Sequence, residues 1–568
     1  MLHDLYTPEG ENLQGTPWNV YPRPQMRRES YVNLNGQWDF TVTETEALPE
    51  AYDQTIQVPF CPESLLSGIK AHFSDGSSLF YRRKLILPED FCQGRVLLHI
   101  GAADQMLECY VNKTLVGTHV GGYESMTFDI TDNLADENEL VIRCVDDLRA
   151  PVLPYGKQSL TRGGMWYTPV SGIWQTVWLE SVPQTYIKKL HIENRGKKVL
   201  IRTEPALEGK VTVAGLGEYT LTDGCATIAP AEPHLWSPED PYLYDFTVEA
   251  GADRVESYFA IRYLETKIIH DIPRLCLNGR PYFFHGLLDQ GYWSDGLLTP
   301  AAPECYARDI REMKALGFNT LRKHIKVEAE EFYYQCDKQG MLVWQDMVNN
   351  GDYDYYRDTV MPTIGVQKLP DQQMHKDPAS RQAFRDGMAA AVTQVRNHPC
   401  IVYWTIFNEG WGQFCSDSLY EALRAMDDTR WIDSTSGWFR RKKTDVDSRH
   451  IYFGPWGQLK KSDRPLVLSE FGGYTYAEEG HLFNPEKAYG YRTCESREDW
   501  MRDIEKLYRT RILPNIPKGL CAAIYTQVSD VEDEINGLLT YDRRVVKADA
   551  DIMRQIAEDL AAAMDATV

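Results

Sequence analysis

The stretch Ile401–Gln413, IVYWTIFNEGWGQ, predicts a buried strand that ends in two polar side chains. Its first seven residues are almost all β-branched or aromatic, and such a run is typical of a parallel strand covered on both faces. Asn408 and Glu409 follow the run directly. Polar groups at the C-terminal end of a parallel strand lie where α/β barrels have their active sites. Taken alone, the same pair is equally compatible with a cap on the following helix.

The composition is that of an ordinary globular protein and excludes some partners. A chain of 568 residues is long enough for roughly two to four domains. The formal net charge of −22 argues against nucleic acid or an anionic membrane surface as a partner. The 12 cysteines form no CxxC pairs, which favours reduced structural thiols over zinc ligands or a disulfide framework. We therefore predict no metal site.

Targeting signals are missing from the printed sequence. The N-terminal stretch MLHDLYTPEGENLQG lacks the basic and apolar regions of a secretory signal. No apolar run reaches the roughly 18 residues that a membrane span needs, so we predict no membrane association. We expect a cytoplasmic protein; the alternative is a secreted form whose leader has been removed.

The pattern of strand and helix signals along the chain predicts three domains. Residues 1–181 contain short alternating strands separated by turns, which is typical of a jelly-roll-like β-sandwich. Residues 182–266 contain about seven further short strands, which indicates an immunoglobulin-like sandwich. In residues 267–568 helices alternate with strands, which predicts a parallel (β/α)8 TIM barrel. Neither GxGxxG nor GxxxxGK[ST] occurs at the expected places, so we predict no nucleotide cofactor.

Polar side chains follow one barrel strand after another, as expected of a catalytic rim. They are Asp289, Arg322 with Lys326, Asp346, Asn408 with Glu409, Glu470, and Gln527. Two of these, Glu409 and Glu470, are carboxylates that end strongly apolar strands. A pair of carboxyl groups across a barrel mouth is the minimal machinery of glycoside hydrolysis. The alternative for Glu470 is a structural ion pair with Arg322 or Arg440.

Two further features bear on this rim. The Gly-rich segment around Trp166 in the sandwich carries several aromatic residues, which are either sandwich core or the wall of a neighbouring pocket. Glu409 and Glu470 are 61 residues apart. Because a βα unit takes ~30 residues, the fifth and sixth units of the barrel must be abbreviated.

The motifs TIFNEG and LSEFGG, preceded by two sandwiches, resemble those of glycoside hydrolase family 2. The segments YTPVSGIWQTVWLE and LNGRPYFFHGLLDQG extend the resemblance over essentially the whole chain. The resemblance implies a retaining exo-β-glycosidase with Glu409 as acid/base and Glu470 as nucleophile. It implies that Asn408 binds the sugar 2-OH and that Tyr452 lies near the nucleophile. It also implies that five further side chains line the sugar site: Asp289, Arg322, Asp346, Trp411 and Gln527.

The substrate is less well determined than the reaction. The Asn-x-Lys motif by which β-glucuronidases of this family hold a uronate is missing from the last barrel segments. Conversely, Arg322 and Lys326 are basic enough to bind a carboxylate, unless Lys326 pairs with Glu328, Glu330 or Asp346. We predict a galacto-configured sugar, neutral or uronic. The alternatives are a β-glucuronidase, a β-galactofuranosidase, a β-mannosidase-type enzyme, or a non-catalytic carbohydrate-binding protein. The resemblance is compatible with a homo-oligomer.

Overall fold

The computed structural model describes residues 2–361, 366, 370–452 and 462–568. The first domain is a sandwich of a four-stranded and a six-stranded sheet, ordered β1-β12-β5-β9 and β3-β2-β4-β10-β7-β8, with β6 and β11 paired separately. The strands are β1 (Tyr31–Asn33), β2 (Gly36–Thr43), β3 (Gln54–Val58), β4 (Ser78–Leu85), β5 (Arg95–Ile100), β6 (Ala103–Asp104), β7 (Met106–Val111), β8 (Thr114–Val120), β9 (Met126–Asp129), β10 (Asn138–Val145), β11 (Gly172–Ile173) and β12 (Val177–Val182). Side chains from both sheets form one apolar core between them.

The second domain is a smaller sandwich of a three-stranded and a four-stranded sheet, ordered β13-β14-β17 and β16-β15-β18-β19. Its strands are β13 (Lys189–Arg195), β14 (Lys198–Glu204), β15 (Gly209–Val213), β16 (Gly217–Leu221), β17 (Cys225–Ile228), β18 (Tyr244–Ala250) and β19 (Asp253–Phe259). In β18 the buried residues alternate with more exposed ones, as expected of a strand with one face on a core. A three-stranded sheet of β20 (Leu264–Ile269), β21 (Ile272–Leu277) and β22 (Arg280–Pro281) then leads to the barrel.

The third domain is an eight-stranded parallel barrel, which confirms the predicted fold class. Around the barrel the strands run β27-β26-β25-β24-β23-β32-β29-β28. They are β23 (Phe284–Asp289), β24 (Thr320–Lys323), β25 (Leu342–Asp346), β26 (Ile401–Thr405), β27 (Trp431–Asp433), β28 (Asp447–Ile451), β29 (Leu466–Gly472) and β32 (Leu520–Thr526), with β30 (Tyr474–Thr475) and β31 (Arg492–Thr493) paired outside it. The described helices are α1 (Pro8–Glu11), α2 (Glu304–Ala315), α3 (Glu330–Gln339), α4 (Pro378–Val395), α5 (Ser416–Met426), α6 (Arg497–Leu507) and α7 (Ala550–Asp565). No helix in these ranges is both long and apolar enough to traverse a bilayer.

The barrel strands are buried on both faces, as their apolar sequences predict. Every residue of β26 is buried, and Tyr403 on it stacks on Trp344 of the neighbouring β25 with ring centroids 4.0 Å apart. A stacked aromatic pair of this kind contributes about 0.5–1.5 kcal/mol beyond the area that it buries. The central strands therefore form a rigid platform for the side chains at their C-terminal ends.

The fifth and sixth barrel units are abbreviated, as the spacing of the two carboxylates predicts. The strand β27 has three residues and is followed by β28 without an intervening helix. We did not predict β27, because a three-residue strand carries too few side chains to show a period. Its partner contacts with β26 place Asp433 beside Thr405 at the rim.

The N-terminal segment lies against the barrel, although the sequence prediction assigns it to the first sandwich. Thr7 donates from its backbone nitrogen to Asp295 at 2.8 Å, and Arg544 forms an ion pair with Glu11 at 2.6 Å. Both partners belong to the barrel domain. The sequence gives no signal of this docking site, because the segment is too short to show a helical or strand period.

A loop of the first sandwich covers the mouth of the barrel and completes the candidate site. The backbone nitrogens of Tyr155 and Gly156 donate to the carbonyl of Asn349 at 3.1 and 3.4 Å. Further along, Arg162 pairs with Glu532 and with Asp533, each at 3.1 Å. Residues between these two anchors are thereby held over the C-terminal ends of the barrel strands.

Candidate active site

Glu409 and Asn408 lie in a tight turn just beyond the end of β26. Glu409 has a φ of +52°, and its backbone nitrogen donates to the carbonyl of Ser436 at 2.9 Å. Asn408 accepts a hydrogen bond from Nη2 of Arg322 at its Oδ1, 2.9 Å away. Its amide nitrogen is left to donate to a ligand, in keeping with the role that the family resemblance implies.

Glu470 lies within β29 and is almost completely buried. Its Oε1 accepts from Nη1 of Arg322 at 3.0 Å, and its Oε2 accepts from the hydroxyl of Tyr452. Burial raises the pKa of this carboxyl, but the electrostatic effects of His450 and Arg322, together with the Tyr452 hydrogen bond, outweigh burial and lower it. Glu470 is therefore held as a carboxylate, the form that a nucleophile requires.

Arg322 connects these groups to one another. The side chain is fully buried; Nη1 also donates to the carbonyl of Ser469 at 3.0 Å, and Nε donates to Asp346 at 3.0 Å. Asp346 in turn accepts from His324 at 2.8 Å. The predicted ion pair of Arg322 with Glu470 thus exists, and it orients the carboxylate without blocking it. Arg322 and Asp346 lie in the site as positioning residues.

His450 is a member of the site that the sequence did not single out. Its Nδ1 lies 2.7 Å from Oε1 of Glu409 and 3.6 Å from Oε2 of Glu470. Its Nε2 lies 3.0 Å from Oγ of Ser436. The available signal was its place two residues before Tyr452 on β28, whose C-terminal end reaches the same rim.

The two carboxylates are close enough to act on one bond. One oxygen of Glu409, one oxygen of Glu470 and one ring nitrogen of His450 all lie within 4.8 Å of one another. A carboxyl separation of about 5–5.5 Å fits direct attack by one carboxylate, whereas about 6.5–9.5 Å leaves room for an attacking water. Among the described residues, this trio is also the one group of His, Cys, Asp or Glu side chains that could together hold a metal ion. A cation there would occupy the place of the scissile bond, so the donor set suits catalysis better.

Two of the predicted substrate-binding residues have other partners. Asp289 accepts from Lys323 at 2.7 Å. Lys326 donates to the carbonyls of Gly291 and Leu298 at 2.5 and 2.7 Å and to Glu328 at 2.9 Å, so its three donors are all occupied. The structure thus assigns Lys326 the alternative that the sequence left open, a pairing with Glu328.

Gln527 directly follows β32 and keeps one free group. Its Oε1 accepts from Gln290 at 2.8 Å, while its buried Nε2 has no hydrogen-bond partner in the described part of the chain. An unpaired buried donor costs about 1–3 kcal/mol unless a ligand or water satisfies it. This geometry is compatible with the predicted role of Gln527 at the sugar site.

Aromatic rings from two domains form one wall of the site. Trp166 of the first sandwich stacks on Trp411 of the barrel with ring centroids 5.2 Å apart and an interplanar angle of 24°. Tyr353 packs edge-on against Trp166 and Trp411 at 5.0 and 5.5 Å. Trp166 thus leaves the sandwich core and reaches the neighbouring domain, the second of the two alternatives that the sequence allowed.

Two buried charged residues near this wall were also missed. Lys157 of the first sandwich places Nζ 4.5 Å from the ring centroid of Trp411. Glu534, in the loop after β32, accepts from the hydroxyl of Tyr167 at 2.5 Å and from Nδ2 of Asn536 at 3.0 Å. Neither residue ends a strand, so the strand-end pattern could not reveal them.

Two family models match the chain. The model "Glycosyl hydrolases family 2, TIM barrel domain" matches residues 269–561, more than half of the chain, and the model "Glycosyl hydrolases family 2" matches residues 181–262. Among curated proteins, the β-galactosidase of Thermoanaerobacter pseudethanolicus is 24% identical over 412 residues, 66% of this chain and 51% of its own length. Human β-glucuronidase is 23% identical over 557 residues, 81% of this chain and 80% of its own length. The chain spans about half the length of the first curated relatives that it matches.

Solved structures share the fold over nearly the whole chain. A β-D-glucuronidase from Dictyoglomus thermophilum has a TM-score of 0.73 at 18% identity, covering 95% of this chain and 98% of its own. A β-galacturonidase from Eisenbergiella tayi bound to galacturonate has a TM-score of 0.68 at 18% identity, covering 95% and 99%. The family models and the shared three-domain architecture confirm the resemblance found in the motifs: the chain belongs to glycosyl hydrolases family 2.

Proposed function

We propose that the protein is a retaining exo-β-glycosidase that removes a terminal, galacto-configured β-linked sugar. The observation that carries the reaction type is the placement of the Glu409 and Glu470 carboxylates within 4.8 Å of each other at the mouth of the barrel. Such a short separation supports attack on the sugar by a carboxylate and not by a water held between the two groups. Membership of glycosyl hydrolases family 2 supports the substrate class.

In the first step, Glu409 donates its proton to the glycosidic oxygen as the bond from this oxygen to the anomeric carbon breaks. An oxygen of Glu470 forms a bond to the same carbon, and the aglycone leaves as an alcohol. In the second step, Glu409 takes a proton from water, whose oxygen attacks the anomeric carbon as the bond to Glu470 breaks. Two inversions return the sugar with its original configuration.

The surrounding residues hold these groups in place for both steps. Arg322 and Tyr452 bind different oxygens of Glu470 and so fix the orientation of the carboxylate. His450 holds Glu409 from the side facing Glu470. Fixed donors around a carboxylate contribute to catalysis because they need no reorganisation during the reaction.

Two observations support a galacto-configured sugar. The stretch at the end of the barrel that would hold a uronate in β-glucuronidases lacks the Asn-x-Lys motif. Relatives of this chain include a β-galactosidase and a β-galacturonidase. A β-glucuronidase is the second candidate, because human β-glucuronidase matches this chain over 80% of its own length.

The test uses Glu470→Gln and Glu409→Gln with a panel of nitrophenyl β-glycosides: galactoside, glucuronide, galacturonide, mannoside, galactofuranoside and arabinoside. We expect Glu470→Gln to lower kcat on the best substrate on the order of 10⁴-fold, as removal of a nucleophile does. Glu409→Gln is expected to slow substrates with poor leaving groups more than nitrophenyl ones, since the latter need little protonation.

Azide gives a matched control for the two roles. With Glu409→Ala, azide should replace water and yield a β-glycosyl azide, whereas with Glu470→Ala it should yield an α-glycosyl azide, because each shortened side chain leaves room for the anion. Hydrolysis that both variants leave unchanged on every glycoside would instead favour a carbohydrate-binding protein or a different catalytic pair.

A further inference from the structure

The side chain of Lys157 is almost completely buried at the active site, and in the described part of the chain its ammonium group has no hydrogen-bond partner. The residue is 5% exposed, and in the described ranges no acceptor bonds to Nζ and no carboxylate oxygen lies within 4.0 Å of it. Nζ lies over the face of Trp411, 4.5 Å from the ring centroid. Buried lysines are almost always paired, so three unused donors at this position indicate that a ligand supplies the acceptors.

The backbone holds Lys157 in place on both sides. Tyr155 and Gly156 donate to the carbonyl of Asn349 in the barrel, and the carbonyl of Lys157 itself accepts from the nitrogen of Tyr167 at 3.0 Å. The lysine is therefore presented to the barrel by a fixed segment of another domain. Because the segment is already fixed, ligand binding does not have to offset the entropic cost of ordering this side chain and its backbone.

Burial lowers the pKa of Lys157, and the nearby carboxylates of Glu534, Glu470 and Glu409 oppose this shift, Glu534 the most. Glu534 is 4% exposed, and each of its carboxylate oxygens accepts one hydrogen bond, from Tyr167 and from Asn536. Each oxygen therefore has acceptor capacity left. Lys157 and Glu534 thus form a donor and an acceptor of opposite charge that are held apart beyond ion-pair distance.

A gap between a buried ammonium and a buried carboxylate fits a hydroxyl group better than a carboxylate. A hydroxyl accepts from one group and donates to the other, so it satisfies both charges. A uronate in the same place would add a negative charge beside the carboxylates of Glu534 and Glu470, with the Lys157 ammonium as its counterion. Like charges close together in a buried site repel one another, and this repulsion costs binding free energy.

Two neutral groups in contact with Lys157 or Glu534 also have unpaired polar atoms. Nε1 of Trp411 and Oδ1 of Asn536 are buried and have no partner in the described part of the chain. One is a donor and the other an acceptor. A polyhydroxylated neutral ligand offers groups of both kinds, whereas a carboxylate offers acceptors alone.

On the basis of the proposed function, we propose that Lys157 and Glu534 bind one hydroxyl of the terminal sugar between them and thereby select neutral sugars over uronic acids. Lys157 donates to the hydroxyl oxygen, and Glu534 accepts the hydroxyl hydrogen. The pair would act on substrate choice, while Glu409 and Glu470 perform the reaction.

The test compares nitrophenyl β-galactoside, its 3-, 4- and 6-deoxy analogues, and nitrophenyl β-galacturonide as substrates of the wild-type enzyme and of Lys157→Met. We expect the wild type to hydrolyse the galactoside faster than the galacturonide. Lys157→Met should lower its kcat/KM about 10- to 100-fold, the usual effect of losing a hydrogen bond to a charged group. For one deoxy analogue, the kcat/KM of the wild type should be as low as that of Lys157→Met on the galactoside. The kcat/KM of Lys157→Met on this analogue should be no lower still.

Glu534→Gln provides an independent variant should Lys157→Met fail to fold. It should lower turnover of the galactoside and raise the ratio of galacturonide to galactoside turnover, because a negative charge is removed. Glu63→Gln is the matched control, since Glu63 is a carboxylate of the first sandwich that is bound by Ser171. It should leave that ratio unchanged.

Three outcomes would overturn the proposal. In the first, the wild type prefers the uronide and Lys157→Met selectively abolishes its turnover, so the ammonium binds a carboxylate. In the second, Lys157→Met slows every substrate equally, deoxy analogues included. In the third, Glu534→Gln leaves the ratio unchanged. Failure of the proposed function is distinct, because the wild type would then hydrolyse no glycoside and Glu470→Gln would change nothing.

Discussion

Two buried lysines near the barrel mouth differ in how fully they are bonded. Lys326 belongs to what we term the saturated cluster, Lys323, Lys326, Asp289 and Glu328, in which its three donors are occupied. Lys157 and Glu534 form what we term the open pair, in which the ammonium has no partner in the described ranges. The sequence pointed to Lys326 because it follows a barrel strand. Unused hydrogen-bonding capacity, and not position along the chain, distinguishes a binding lysine from a structural one.

The saturated cluster is organised around a buried carboxylate. Glu328 accepts from Lys323 and Lys326, each at 2.9 Å, and from the hydroxyl of Tyr306 at 2.7 Å. Each charge there offsets the desolvation of another. Within the described ranges the ammonium of the open pair has no such contacts, so part of its desolvation cost is left for a ligand to offset.

The largest expected effect is on the stability of the saturated cluster. Lys326→Met should lower the free energy of unfolding by about 3–5 kcal/mol, because Glu328 loses a counterion and two buried carbonyls lose their donor. Urea unfolding followed by tryptophan fluorescence measures this change. The KM of the folded Lys326→Met protein should stay close to that of the wild type. A change in substrate choice without loss of stability would contradict the structural assignment of Lys326.

A much smaller effect on stability is expected in the open pair. Lys157→Met should leave the free energy of unfolding within about 1 kcal/mol of the wild type, or raise it, because a buried unpaired charge is replaced by an apolar side chain of similar length. The same urea experiment checks this. A loss as large as that of Lys326→Met would show that Lys157 is structural and that the two sites do not differ.

The smallest effect concerns the pH dependence of the reaction. The charge of Lys157 interacts with Glu470, so Lys157→Met should raise the pKa of the Glu470 carboxyl and move the acid limb of kcat/KM to higher pH. Tyr452→Phe should move it in the same direction, because the Tyr452 hydrogen bond lowers the pKa of Glu470. Lys326→Met serves as the control and should leave the acid limb in place. A shift to lower pH in Lys157→Met would contradict the orientation of the ammonium towards the carboxylates.

Much of the fold and part of the site could be predicted from the chain. Apolar runs ending in polar residues identified Asn408, Glu409 and Glu470, because the C-terminal ends of parallel strands must meet at one rim. The strand β27 escaped prediction because it is three residues long. His450 escaped because it lies within β28 and not after its end, whereas the prediction considered the polar residues that follow each strand. Lys157 escaped because its segment comes from another domain and carries no periodic pattern.

The sequence by itself determined the order of strands and helices, the family, and the two carboxylates, since these depend on local periodicity and short motifs. Only the tertiary structure decided which of the basic residues has donors to spare. That property depends on partners far apart in the chain. Lys326 is satisfied by the carbonyls of Gly291 and Leu298 and by Glu328, while Lys157 reaches the barrel from the first sandwich and has no partner among the residues that the structure describes. Hydrogen-bond saturation is a property of the packed molecule, because each partner is brought into place by a different element.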